Sequence, residues 1–406
     1  MLAFIMLFFR LSLSGAILPL KLVQKSTFAM FFLFLLSSRF VWVRDRGRRA
    51  SAFLDTPAKI WYTVSCRGRA FSPQTGGAGG APPHHGPLAL KGFDAQVKLK
   101  KDQKLLLAGL GLLAALLLAA AALYDLAIDR ALYSPQNPFG IVLEAFCYWP
   151  LYLPFVLLGA VWTFLYRDNP SRHVLGEVLV IVVFYVLFTQ SLPNLARRGL
   201  LPLSGTALTL AAVVLTFVAS VAVISLASRW DRPSLARLDF LAKLGIALCV
   251  ADNLVINLLK VLWTRMRFDD MAEAGDFSAF TPWYRWGAVA GNTSFPSGHT
   301  AAACGVLVLL ALPALFDWWK GKELALTCGC YAYIALTALS RLIMGRHYLS
   351  DTVAAAVIMT LLYLALTHTR RCRRGLEQAL ALPPAPLAVD APREGEAGGE
   401  DGAGGR

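Results

Sequence analysis

Eight mostly apolar stretches, each of roughly 20 residues, constrain this chain more than any other feature. They cover residues 105–124, 139–166, 174–192, 206–228, 240–262, 300–316, 324–339 and 352–367. A helix of that length crosses the hydrocarbon core of a bilayer, where a helix satisfies its own backbone N–H and C=O groups. The composition agrees. Hydrophobic residues make up 57%, charged residues 16%, and the mean hydropathy is +0.56. Soluble domains rarely combine these values. The expected fold class is therefore all-α, a polytopic integral membrane helical bundle. Pro150 and Pro154 should bend the second span.

The formal net charge is +14. In a membrane chain this speaks first of topology, because Lys and Arg collect on the cytoplasmic side. Eight spans put both ends of the bundle on one side. The clusters Lys98/Lys100/Lys101/Lys104, Arg167/Arg172, Arg229/Arg232/Arg237, Lys320/Lys322 and Arg370/Arg371/Arg373/Arg374 all fall there, and only Arg197-Arg198 opposes them. The expectation is a multi-pass cell-membrane protein with a cytoplasmic C-terminus, in contact with membrane lipids. No basic helix or aromatic platform suggests a nucleic-acid partner. The cysteines are Cys66, Cys147, Cys249, Cys304, Cys328, Cys330 and Cys372. Their number is odd, most lie in apolar runs, and none has zinc-like spacing, so neither a disulfide framework nor a metal site is implied.

Residues 1–95 do not resemble the rest. Apolar pieces are broken by Arg10 or are short, an Arg-rich stretch runs from Arg39 to Arg49, and a Gly/Pro/His linker carries His84-His85, read as solvated histidines. A targeting region would need a clean apolar core and a cleavage site. One or two weak membrane segments are the other alternative. The favoured expectation is an upstream extension outside the working protein. Residues 96–173 hold the first two spans and 174–370 the other six. Residues 371–406 should be a basic and then disordered tail, rich in Pro, Gly and Glu after Leu382.

Three polar stretches interrupt the apolar pattern on one predicted face of the membrane, the outer one. The first is Phe295-Pro296-Ser297-Gly298-His299-Thr300, just before the sixth span. Pro suits a first helical turn and Ser can cap it. A helix start attracts anions, and Gly298 lets a ligand approach the backbone. The second stretch has Lys260, Arg265 and Arg267 at the end of the fifth span. An ionisable residue at the edge of a span is a functional candidate, with snorkelling as the plainer explanation. The third has Ser340-Arg341, His347 and Asp351. If a helix has begun by His347, the spacing of four puts His347 and Asp351 on one face. Two histidines, a carboxylate, several cations and a helix start are what phosphoryl transfer through a covalent enzyme intermediate requires. That chemistry needs no metal and no cofactor.

Lys260 and Arg267 are separated by six residues, Ser297-Gly298-His299 follows Pro296, and Ser340-Arg341 precedes His347 and Asp351. This three-part pattern resembles the signature of the type 2 phosphatidic acid phosphatase superfamily, which includes membrane lipid phosphatases and soluble vanadium haloperoxidases. The resemblance implies a six-helix phosphatase core, to which the first two spans are additional. It implies His347 as the nucleophile forming a phosphohistidine and Asp351 as its orienting partner. His299 would be the general acid for the leaving group and then the base that activates water. Lys260, Arg267 and Arg341 would clamp the phosphate, with Ser297 and the Gly298 amide completing the cradle. Arg265 is an extra cation near that site. Where the family has Pro after the first-motif Arg, this chain has Phe268, which suggests an altered loop shape.

The function expected from this resemblance is a metal-independent phosphatase of the membrane, with an extracytoplasmic active site. Its substrate would be a lipid-linked phosphate monoester or a polyprenyl-type pyrophosphate. A vanadium-haloperoxidase-like enzyme and a non-catalytic lipid-binding or transport protein are the alternatives. In the stretch between Asp269 and Asn292, Phe277, Phe280, Trp283, Tyr284 and Trp286 read as an interfacial aromatic belt, or else as a lid over a lipid head group.

Overall fold

Long apolar runs give long helices. The computed structural model describes residues 100–287 and 291–381, and these belong to one compact unit. The expectations for residues 1–95 and for the tail after Leu382 lie outside the described residues. The helices are α1 (Lys101–Leu132), α2 (Pro138–Phe146), α3 (Trp149–Leu165), α4 (Pro170–Arg197), α5 (Gly205–Ala227), α6 (Arg232–Trp263), α7 (Phe268–Ala274), α8 (Gly298–Ala303), α9 (Leu312–Leu315), α10 (Glu323–Ile343), α11 (Leu349–His368) and α12 (Arg370–Leu380). Short 3₁₀ helices cover Cys304–Ala311 and Asp317–Trp319. Among the described residues there is no strand. Among the described residues eight helical segments are long and apolar enough to cross a membrane, so the all-α membrane bundle expected from the sequence is what forms.

Side-chain and backbone contacts fix the up-and-down order. Lys100 pairs with Glu323 at 2.6 Å, and Ser134 N donates to Ile343 O at 2.7 Å, so α1 and α10 run parallel from one end of the bundle to the other. Trp149 Nε1 reaches Ser191 Oγ at 2.9 Å, and His173 Nδ1 meets Thr163 O at 2.7 Å, which makes α3 and α4 an antiparallel pair. Their backbones nearly touch where Gly159 meets Gly176. A methyl group on either would lie 2.6 Å from the other's carbonyl oxygen. Small residues permit such close helix contact in membranes, where packing replaces the hydrophobic drive.

The core lies among α3, α6, α10, α11 and the segment from α8 to α9, with Val161, Leu244, Leu248, Ile256, Leu307, Ile334 and Met359 buried. The outward faces stay apolar. Leu105 and Leu123 of α1 are 72% and 78% exposed, as suits side chains that meet lipid.

The second span is bent as its prolines suggest, but the bend is a break. α2 ends at Phe146 and α3 begins at Trp149, with Pro150 in the first turn of α3 and Pro154 inside it. The sixth span is not one uniform α-helix. It tightens to 3₁₀ geometry from Cys304, where Gly305 is pressed against the Pro150–Leu151 backbone, its would-be methyl 2.6 Å from the Pro150 carbonyl carbon. The basic residues after the eighth span form α12, which buries Leu376 and Ala379 and lays Gly375 against the Phe240 ring of α6.

Candidate active site

The three polar stretches meet at one end of the bundle, where α6 ends, α8 and α11 begin, and α10 ends. Residues 293–299 gather them. Lys260 Nζ donates to Thr293 O at 2.7 Å, and Arg267 donates a longer bond of 3.4 Å to Thr293 Oγ1. The two cations are aimed here by the end of α6. Thr264 caps that helix in a left-handed conformation, φ +46°, unusual for a β-branched residue. Its Oγ1 donates to Gly287 O at 2.7 Å, which holds the turn. Lys260 does not snorkel away. A methyl on Gly298 would lie 3.7 Å from its Nζ.

Helix α8 begins at Gly298 with Ser297 as its cap, so Pro296 stands before the helix and not in its first turn. The Phe295–Pro296 peptide bond is cis. Ser297 Oγ accepts from Thr300 N at 3.3 Å and from Thr300 Oγ1 at 3.0 Å, so this hydroxyl serves the cap. The backbone N–H of Ser297 donates to Asp351 O at 3.0 Å, tying the starts of α8 and α11 together. His299 follows in the first turn. Its ring centroid is 6.0 Å from that of His347 and 5.2 Å from that of Tyr148, which sits in the break between α2 and α3.

His347 lies just before α11, so its relation to Asp351 is not that of two residues on one helix face. Nδ1 of His347 is 2.8 Å from the backbone carbonyl oxygen of Ser294. The nearest Asp351 oxygen is 3.7 Å away, beyond hydrogen-bond range. A carbonyl oxygen only accepts, so Nδ1 carries the proton and the lone pair of the ring is on Nε2. Burial drives the imidazole down to about 3 from its usual range, against the upward pull of Asp351, so the ring rests neutral. Asp351 acts at one remove. Its Oδ2 accepts from Ser294 Oγ at 2.5 Å and from Tyr348 N at 3.1 Å, and its Oδ1 accepts from Arg265 at 2.6 Å. Ser294 thus joins carboxylate and imidazole, its side chain on one and its carbonyl on the other.

Arg341 is fully buried. It donates from Nε to Ser340 Oγ at 3.1 Å and from one terminal nitrogen to Gly140 O at 2.7 Å. The other terminal nitrogen stands 3.7 Å from Glu144 and makes no hydrogen bond. Gly140 and Glu144 belong to α2, so a helix outside the six-span region holds this cation.

Phe268 opens α7 and is buried, its ring edge-on to Tyr133 at 5.2 Å and 5.4 Å from Phe277. The shape of this loop is set by packing on the end of α1. The aromatic loop divides in two. Phe277 lies under Arg130 at 4.4 Å, and Phe280 meets Tyr348 at 5.4 Å. Trp283 Nε1 donates to Leu118 O at 3.1 Å. Tyr284 and Trp286 point outward, 52% and 65% exposed.

Sequence reasoning missed Ser294, Thr293, Gly140, Glu144, Tyr148 and Asp125. Thr293, Ser294 and Gly140 act through backbone carbonyls, which carry no side-chain signature. Glu144, Tyr148 and Asp125 lie far from the three motifs in sequence. Ser294 and Thr293 alone had a signal, their place directly before the Phe295–Thr300 stretch. Among the described residues no group of three or more His, Cys, Asp or Glu side chains is arranged to hold a metal.

Residues 240–374 match the PAP2 superfamily. The family suggested by the three motifs is therefore the family found, and it implies phosphatase-type activity for this segment. No curated protein and no solved structure matches the chain.

Proposed function

We propose that this PAP2-superfamily segment is a lipid phosphate phosphatase, acting on a phosphate monoester or pyrophosphate through a phosphohistidine at His347. The observation that carries the reading is the His347 tautomer, with Nδ1–H held by the Ser294 carbonyl and Nε2 left as the nucleophile. Lys260, Arg267, the unbonded nitrogen of Arg341 and the Gly298 amide would bind the phosphate oxygens. Nε2 attacks phosphorus and the bond to the lipid oxygen breaks. His299, protonated when substrate is bound, delivers its proton to that oxygen. A water then gives a proton to His299 and attacks the phosphohistidine. The P–N bond breaks, its electron pair returns to Nε2, and inorganic phosphate leaves. The cations hold the charge on the equatorial oxygens through both steps.

The donor set argues for chemistry without a divalent ion. The site offers cations and neutral rings, and both oxygens of Asp351 are already engaged. The clusters Lys100/Lys101/Lys104, Lys320/Lys322 and Arg370/Arg371/Arg373/Arg374 stand at the end of the bundle opposite the site. By charge bias that end is cytoplasmic and the site faces outward. An impermeant thiol reagent labelling a Tyr284→Cys variant in intact cells tests this, and labelling only after lysis would reverse it.

The test of function is phosphate release from a panel of lipid phosphates and pyrophosphates, in detergent with chelator present. The wild type should release phosphate from at least one of them. His347→Ala should lose about 10³-fold or more in kcat. Full activity in that variant would remove His347 as nucleophile.

A further inference from the structure

Asp125 and Arg265 have no part in the steps above, yet both are fully buried and joined at 2.9 Å. Asp125 lies near the end of α1, outside the segment that matches the family. Its Oδ1 accepts from the backbone N–H of Ser350 at 3.1 Å, and its Oδ2 accepts from Ser350 Oγ. Ser350 is in the first turn of α11. Arg265 then bridges the two helices. One terminal nitrogen holds Asp125. The other donates to Asp351 Oδ1 at 2.6 Å and to Ser350 Oγ at 2.8 Å. Nε donates to Thr281 O at 2.8 Å. The guanidinium lies 4.0 Å from the Tyr348 ring centroid, and Tyr348 directly follows His347. One carboxylate from α1 therefore grips the first turn of α11 twice, directly through Ser350 and indirectly through Arg265.

We propose that Asp125 is a positioning residue: through Arg265 it fixes Asp351, and through Asp351 and Ser294 it fixes His347. On this view α1 completes the catalytic site of residues 240–374. The inference rests on the phosphatase reading given above. A buried guanidinium with five donors in a rigid fork is suited to this task, because it can hold two carboxylates and a hydroxyl in fixed directions at once. Catalytic groups need such support to stay within a fraction of an ångström of productive geometry. The clamp formed by Lys260, Arg267 and Arg341 makes no bond to this network, so the network should govern turnover more than binding.

The experiment uses the full chain and three variants. Asp125→Asn keeps the shape and removes the charge that holds Arg265. Its kcat should fall about 10- to 100-fold with KM within about 2-fold, the loss expected when a reacting group is misplaced by about 1 Å. Asp129→Asn is the control. It lies one helical turn further along α1, fully buried, with no hydrogen bond to either carboxyl oxygen, and its kcat should stay at the wild-type value. In an Asp351→Asn background, adding Asp125→Asn should cost less than about 3-fold, because the two act along one line. Wild-type kcat in Asp125→Asn, or the same loss with and without Asp351, would overturn the proposal. If Asp125→Asn does not fold, Arg265→Lys carries the same kcat-against-KM test. If the wild type releases no phosphate from any lipid, the phosphatase reading fails separately. Orthovanadate affinity, read by thermal shift, then replaces kcat. Binding weakened about 10-fold in Asp125→Asn but not in Asp129→Asn would support the positioning role, and equal binding would overturn it.

Discussion

Gly298→Ala separates folding from catalysis at this site. A methyl built on Gly298 would lie 3.4 Å from Lys260 Cε and 3.7 Å from both Lys260 Nζ and the Tyr148 hydroxyl. These are ordinary contact distances, and Gly298 is not among the residues with positive φ. The resting protein can therefore accept the methyl without moving. Replacing Gly by Ala at a compatible position stabilises by about 0.4–1 kcal/mol through the unfolded chain, so the unfolding temperature should hold or rise. Substrate meets a different situation. A phosphate oxygen bonded to Lys260 needs about 2.8 Å to the nitrogen, and the methyl occupies the space beside it. The phosphate is pushed aside by about 1 Å, which costs about 100-fold in kcat/KM. That corresponds to about 2.7 kcal/mol of transition-state stabilisation. The assay is steady-state phosphate release, with thermal unfolding of the same preparation. Wild-type kcat/KM in Gly298→Ala would refute the placement of phosphate at the start of α8. A collapse in unfolding temperature would refute the packing argument.

Three further outcomes are expected. Arg341→Lys keeps a charge but cannot reproduce the bonds to Ser340 Oγ and Gly140 O, so kcat/KM should fall about 10- to 100-fold, and unchanged kinetics would remove Arg341 from the clamp. Phe268→Pro restores the family's residue at a helix start that suits proline, but strips a buried ring from Tyr133 and Phe277. It should cost about 3 kcal/mol of stability, read as a lower unfolding temperature. The lowered His347 value makes stability depend on pH with a definite sign. Between the unfolded imidazole's value near 6.5 and about 3, the unfolded chain binds a proton that the folded one does not. Stability from this group is complete above that window and is lost as pH falls through it, by up to about 1.4 kcal/mol per pH unit. Unfolding temperatures of His347→Gln should therefore decline less steeply with acid than those of the wild type, and identical slopes would contradict a buried neutral His347.

The sequence made the membrane bundle legible because each span is a local property. A continuous apolar run of sufficient length is a helix in a bilayer whatever else the chain does. The motifs were legible for a similar reason, since Lys260/Arg267, Ser297/Gly298/His299 and Arg341/His347/Asp351 each sit within a few turns of one another. The network that supports them was not legible. Asp125 reaches Arg265 across 140 positions and Ser350 across 225, and no periodicity encodes such a contact. The spacing of His347 and Asp351 suggested a direct bond on one helix face. Helix α11 instead begins at Leu349, and the imidazole Nδ1–H donates its hydrogen bond to the Ser294 carbonyl. Pro150 and Pro154 did announce a disturbance in the second span, but its consequence, Tyr148 placed against His299, depends on the packing of α2 and α3 around α8. In the aromatic loop Phe277 packs on Phe268 and Arg130 and Phe280 on Tyr348, whereas Tyr284 and Trp286 face outward.

The central claim is a phosphoryl group carried on Nε2 of His347, and trapping it tests that claim most directly. An aryl phosphate labelled at phosphorus has a leaving group that needs no proton. In a His299→Ala variant it should therefore load the enzyme while the water step lags. Rapid quenching in base, followed by peptide mass spectrometry, should find an acid-labile label on His347, at Nε2 and not at Nδ1. A variant that turns over the aryl phosphate with no label on His347, or with the label on another residue, would contradict the account.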